Sequence, residues 1–203
     1  MKLYNFLHAV LGGILRFLYR VRVRNRDKEP REGHYLVCAN HTGMADAIIL
    51  AVALRHQKVH FMAKKELFKV PLVASFFRGI GAFPVDRKGS SVASIKTAIA
   101  FLKDGGSVSM FPQGTRCPYV NPRETEVKSG AGLIAYRSGC DVLPVYIKTK
   151  KNKTGLFRRS ECIIGDVIRN EELGFKDGGS EEYIAATQII FDRICTLGEM
   201  DHA

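Results

Sequence analysis

The 203-residue sequence is short of acidic residues: 20 Asp and Glu stand against 31 Lys and Arg, a formal net charge of +11. The resulting positive field favours anionic partners, among them nucleic acid, anionic lipid and an acidic carrier protein. Cysteine offers no usable pattern. Cys38, Cys117, Cys140, Cys162 and Cys195 are odd in number and contain no C-x-x-C pair, which argues against a disulfide framework or structural zinc and fits a reducing cytosol. No P-loop and no G-x-S-x-G elbow occurs, against nucleotide-triphosphatase and serine-hydrolase readings. No Pro/Gly/Ser-rich stretch separates comparable halves and no repeat is present, so one core is expected. A hydrophobic share of 46% is too apolar for a disordered chain.

An uninterrupted membrane-spanning run is missing too. Residues 1–19 place Leu3, Phe6, Leu7, Val10, Leu11, Ile14, Leu15 and Leu18 at helical spacing, but Asn5, His8 and Arg16 interrupt them, and a spanning helix needs about 20 predominantly apolar residues. The pattern predicts a helix lying in the membrane interface. Arg20, Arg22, Arg24, Arg26 and Lys28 follow it, as expected where a cytoplasmic segment meets anionic headgroups. A helix packed on the domain, with solvated arginines, is the plainer alternative. No small-residue cleavage site accompanies the run, against a secretory signal. The expected division is a membrane-associating amphipathic segment, 1–24, and one domain, 25–203, peripheral or monotopic at the cytoplasmic face of a membrane.

Short apolar runs at 35–39, 59–63, 82–85, 107–111, 142–147 and 161–164 read as strands. Helical spacing occupies 46–54, 90–102 and 130–138, with Ser90 as an N-cap, and a final helix at 181–197 is expected to pack on the sheet. This rhythm predicts a single α/β domain with a mostly parallel central sheet flanked by helices. Ligands of such sheets meet the chain beyond the carboxyl ends of strands.

Three segments fall at such ends. The strand at 35–39 runs into Asn40-His41-Thr42-Gly43-Met44-Ala45-Asp46. On one continuous helix, positions five apart diverge by about 140°, so His41 and Asp46 meet only if a loop folds one back. A carboxylate at a helix start is favoured by the dipole, and accepting from one imidazole nitrogen it leaves the other to take a proton from an alcohol. A second segment, Gly81 to Arg87, ends with a guanidinium whose planar fork suits phosphate. The third, Phe111-Pro112-Gln113-Gly114-Thr115-Arg116, adds a glycine for close backbone approach, a hydroxyl and a second cation. The first two also have a plain structural reading: a structural His-Asp pair, and a surface Asp86–Arg87 contact.

In this order, and with Val142-Leu143-Pro144-Val145 as a fourth block, these segments resemble the PlsC-like 1-acylglycerol-3-phosphate acyltransferases of phospholipid synthesis. The resemblance covers most of the chain. It implies transfer of a fatty acyl group from a thioester, acyl-CoA or acyl-ACP, to the sn-2 hydroxyl of lysophosphatidic acid, with His41 and Asp46 catalytic. It also implies that Lys64, otherwise a solvated lysine, helps hold the acceptor phosphate with Arg87, Arg116 and the 111–116 loop. No bound cofactor or metal is implied. The expected partners are a phospholipid membrane, lysophosphatidic acid and acyl carrier protein, not nucleic acid. Two positions depart from the family: Gly43 stands where serine is common, and Gln113 where glutamate is common. Other acceptors therefore stay open, among them glycerol-3-phosphate, a lysophospholipid or a lyso-aminolipid, as does a noncatalytic basic protein that binds anionic membranes or nucleic acid.

Two further signals are weaker. His56 and His60 have the spacing of a zinc helix, but Gln57 replaces the general-base glutamate and the segment enters a strand. The basic cluster Lys148, Lys150, Lys151, Lys153, Arg158 and Arg159 reads as a solvated connection, or as a contact for headgroups or an acidic carrier.

Overall fold

The structure, a computed structural model, describes residues 12–79, 81–85 and 91–200. Its strands are β1 (Val21–Arg24), β2 (Leu36–Ala39), β3 (Val59–Lys64), β4 (Ala82–Val85), β5 (Ser107–Met110), β6 (Val142–Thr149) and β7 (Ser160–Ile164). The helices are α1 (Asp46–Ala53), α2 (Pro71–Gly79), α3 (Ser91–Lys103), α4 (Gly130–Ser138) and α5 (Ser180–Glu199). The strands form one sheet in the order β1-β7-β6-β2-β5-β3-β4. All neighbours are parallel except β6 and β7. The expected α/β domain with a mostly parallel sheet is what forms.

Central strand β2 is buried along its whole length, as a parallel strand covered on both faces must be. Leu36 and Cys38 pack with Leu102, Ile134, Phe191 and Ile194 of α3, α4 and α5. The alternate residues Val37 and Ala39 pack with Ile49 and Leu50 of α1. Burial also raises two of the thiols: Cys162 and Cys195 are pushed up to about 12 and about 11.

Two elements differ from the pattern read in the sequence. Residues 21–24, assigned to the N-terminal segment, are the edge strand β1, whose Val21 and Val23 are half-buried while Arg22 and Arg24 are exposed. The arginines disguise a period-two pattern as a charge run. Helix α2 begins at Pro71, a residue suited to a first helical position, but no N-cap residue announces it. Arg26 has a structural role that the sequence does not show. It and Arg16 cap the carboxyl end of α1, with Arg16 Nε on Val52 O (2.5 Å), Arg16 Nη2 on Ala53 O (3.2 Å) and Arg26 Nη2 on Ala53 O (3.2 Å). Cations there satisfy orphan carbonyls and the helix dipole together. Lys28 pairs with Asp166 at 2.7 Å. These members of the basic run therefore face the domain. Residues 1–11 of the expected interfacial helix lie outside the described residues, as does Ser90, while 12–18 are helical. No helix among the described residues is long and apolar enough to cross a membrane.

Helices α4 and α5 touch through Gly132. Its N–H donates to Thr187 Oγ1 (2.9 Å), and a Cβ on it would meet Tyr183 O at 2.1 Å. Gly132→Ala is expected to cost about 1–3 kcal/mol by forcing the helices apart, read as a lowered urea midpoint with an unchanged slope.

His60 stacks on Phe101 (centroids 4.5 Å apart), and burial lowers its pKa below 6.5, partly opposed by its backbone hydrogen bond with Gly81. The unfolded chain therefore binds this proton more readily than the folded one, so stability falls as pH drops below 6.5. His60→Phe is expected to flatten that slope below pH 6.5 in thermal melts; an unaltered slope would place the effect elsewhere.

Candidate active site

The parallel strands β2, β5, β3 and β4 lie side by side and end on one edge of the sheet. Cys38 pairs with Met110, so His41 and Gln113, three residues further along each chain, leave the sheet level with one another. Phe61 pairs with Ser109 and Lys64 with Val85, which brings Lys64 to the same edge. Register thus gathers chain segments far apart in sequence.

The turn between β2 and α1 folds Asp46 back on His41, with Nδ1 to Oδ2 at 2.8 Å. Asp46 is fully buried at the first position of α1, and the imidazole is 14% exposed. Oδ2 also accepts from the backbone N–H of Thr42 (2.5 Å) and of Gly43 (2.8 Å), while Oδ1 accepts from Thr42 Oγ1 (3.2 Å). A carboxylate only accepts, so Nδ1 of the neutral ring carries the proton and Nε2 keeps its lone pair. Nε2 has no hydrogen-bond partner among the described residues. The buried carboxylate is compensated by four hydrogen bonds and by the amino end of α1.

The 111–117 loop grips His41 from three sides. Phe111 stacks on the imidazole with centroids 4.0 Å apart and planes 10° from parallel. Gln113 Oε1 accepts from His41 N–H at 2.6 Å, and the Cys117 N–H donates to His41 O at 2.9 Å. Asn40, just before the histidine, is fully buried and spans to β6, its Nδ2 on Ile147 O (3.0 Å) and its Oδ1 taking Ile147 N–H (2.7 Å). The imidazole is therefore held by a buried carboxylate and a stacked ring, and the backbone that carries it by buried amide groups, the arrangement suited to a fixed base.

The Acyltransferase family model matches residues 20–148. The chain belongs to the acyltransferase family. It is 33% identical over 198 residues to a 1-acyl-sn-glycerol-3-phosphate acyltransferase of Bacillus subtilis, covering 96% of each chain. A protein of the same name from Streptococcus pneumoniae is 36% identical over 175 residues, covering 84% of this chain and 64% of that one. In fold it is similar to the 1-acyl-sn-glycerophosphate acyltransferase PlsC of Thermotoga maritima, with a TM-score of 0.68 and 24% identity over 100% of this chain and 79% of that one.

In this acyltransferase the remaining expected site residues divide in two. Gly114, Thr115, Arg116 and Lys64 are exposed, and neither cation has an ion-pair partner among the described residues. Pro112 and Gln113 are buried. The Gln113 amide turns inward, with Nε2 donating to Thr125 Oγ1 at 2.8 Å while that hydroxyl donates to Pro122 O at 2.6 Å. An amide suits this place because it offers an acceptor to His41 and a donor to Thr125 at once. Arg87 lies outside the described residues. Asn40, Cys117 and Thr125 carry no signal in the sequence, because hydrogen bonds to distant backbone leave no local pattern. Gln57, at the zinc-like spacing, binds Pro30 O (2.9 Å) and Ser107 Oγ (2.7 Å). No group of three or more His, Cys, Asp or Glu suited to a metal occurs among the described residues.

Proposed function

We propose that the chain transfers a fatty acyl group from a thioester, acyl-CoA or acyl-ACP, to the sn-2 hydroxyl of lysophosphatidic acid, forming phosphatidic acid. The observation that carries this reading is the buried Asp46 bonded to Nδ1 of a His41 whose Nε2 is left without a partner among the described residues. His41 Nε2 takes the acceptor's hydroxyl proton as its oxygen attacks the thioester carbonyl. The new C–O ester bond forms, the C–S bond breaks, and the proton passes on to the departing thiolate sulfur. Asp46 steadies the imidazolium between these events. Lys64, Arg87, Thr115 and Arg116 orient the acceptor phosphate, while Phe111, Pro112, Gln113 and Gly114 shape the loop beneath it. The thioester supplies the activation, so the scheme needs no bound cofactor.

The names of the Bacillus subtilis and Streptococcus pneumoniae relatives support lysophosphatidic acid as acceptor. The net charge of +11 suits both a phosphorylated lipid and an anionic membrane surface, and in this reading the N-terminal segment meets the cytoplasmic leaflet. The test is a product-resolved assay of the purified chain in mixed micelles, offering acyl-CoA or acyl-ACP with lysophosphatidic acid, glycerol-3-phosphate or a lysophospholipid. Phosphatidic acid as the main product is expected. Preferential acylation of another acceptor would replace the substrate, and no acylation of any would sink the reading.

A further inference from the structure

The connection between β6 and β7, residues 150–159, carries a basic cluster for which the proposed chemistry has no use. It is nonetheless tied to the surroundings of the site. Phe157 N–H donates to Leu18 O at 2.7 Å, Asn152 O accepts from Tyr119 N–H at 2.9 Å, and Asn152 Nδ2 donates to Val120 O at 3.0 Å. Lys153 Nζ donates to the Tyr119 hydroxyl at 2.5 Å. Between these anchors sits Thr154, 7% exposed, packed on the His41–Asp46 turn. A Cβ on Gly43 would stand 2.1 Å from Thr154 Oγ1 and 3.4 Å from Thr154 Cβ. The hydroxyl has no hydrogen-bond partner among the described residues.

A buried hydroxyl left unpaired is unfavourable, so the close packing must be what fixes Thr154 in place. Its target is mechanically sensitive. Gly43 N–H and Thr42 N–H both donate to the Asp46 oxygen that holds His41, so any tilt of that backbone moves the carboxylate and with it the imidazole.

We infer that Thr154 is a positioning residue: it fills the space over Gly43 and presses the turn onto Asp46, so that His41 is aimed in part by a residue 113 positions away in sequence. Position 43 is glycine because Thr154 occupies the volume a side chain would need. This inference rests on His41 as the base, and it assigns the work to the shape of Thr154 and not to its hydroxyl.

The test uses the full chain and compares Gly43→Ser, Thr154→Ala, Thr154→Val and the double variant G43S/T154A, with kinetics on lysophosphatidic acid and acyl-CoA and thermal melts on each. Gly43→Ser is expected to lower kcat by about tenfold or more at an unchanged KM, since a displacement on the order of 1 Å suffices for that. Thr154→Ala is expected to lower kcat about fivefold by loosening the turn. The isosteric Thr154→Val should recover that loss and melt higher than the parent, its unpaired hydroxyl gone. In the double variant the serine occupies the vacated space, so kcat should rise well above that of Gly43→Ser alone. Wild-type kcat in Gly43→Ser, a double variant no better than Gly43→Ser, or a loss confined to KM would each overturn the inference.

If Gly43→Ser does not fold, the pair Thr154→Ala and Thr154→Val decides: equal impairment of both, when folded, would show that the hydroxyl matters and the packing does not. Failure of the functional reading is separate, because it appears as a parent chain without lysophosphatidic acid acylation. The coupling is then read from the melts alone, where additive effects of the two substitutions overturn it.

Discussion

Replacing His41 with alanine is expected to remove nearly all acyl transfer while leaving the fold in place. General-base assistance is worth about 10²–10⁴-fold, and the substitution removes the imidazole that the Asp46 carboxylate supports. The contacts that shape the loop do not depend on the ring. Gln113 and Cys117 bind the backbone N–H and carbonyl of His41, and an alanine offers both groups equally well. What is lost structurally is the stack on Phe111, worth about 0.5–1.5 kcal/mol, and one of the four hydrogen bonds to the Asp46 carboxylate, whose other three donors stay in place. Circular dichroism and melting should therefore show a folded protein, with kcat down by at least about 10²-fold. A folded variant within tenfold of the parent rate would remove His41 from the chemistry.

Asp46→Asn separates charge from geometry. The Oδ2 site receives three donors, from His41, Thr42 and Gly43, whereas Oδ1 receives only the Thr42 hydroxyl. An asparagine can place its oxygen at the first site and its NH2 toward Thr42 Oγ1, which then accepts instead of donating. Every bond has a counterpart and the negative charge alone disappears. Turnover is expected to fall about 10²–10⁴-fold through loss of support for the imidazolium, with a melting temperature close to the parent's. Asp46→Ala, by contrast, leaves those buried donors without an acceptor and is expected to cost about 1–3 kcal/mol per stranded group as well as turnover. Comparable stability of the two variants, or a parent-like rate in Asp46→Asn, would contradict this account.

The same logic explains which residues are legible in the amino-acid sequence. His41 and Asp46 stand five positions apart, and the strand before them and the helix after them are read from local apolar spacing. Their meeting follows once the intervening turn is recognised as a loop. The strands at 59–63, 82–85 and 142–147 are visible for the same reason. Helix α5, expected at 181–197, occupies Ser180–Glu199. Strand β1 is hidden because its polar alternates are arginines, which near a chain end read as a charge run. The role of Arg26 is hidden because its partner, the carboxyl end of α1, lies 27 positions further on.

The pattern of apolar and polar residues, acting over a few positions at a time, determined that this chain forms an α/β sheet with its reactive segments at strand ends. Four blocks in order determined its family. Tertiary structure decided what each side chain does there. Gln113 turns inward to hold His41 from 72 positions away, and Thr154 reaches the turn from the connection between β6 and β7. Those contacts depend on strand order and register, and register is set by the packing of both faces of the sheet at once. No short stretch of sequence contains that information, because the free energy that selects it belongs to the whole core.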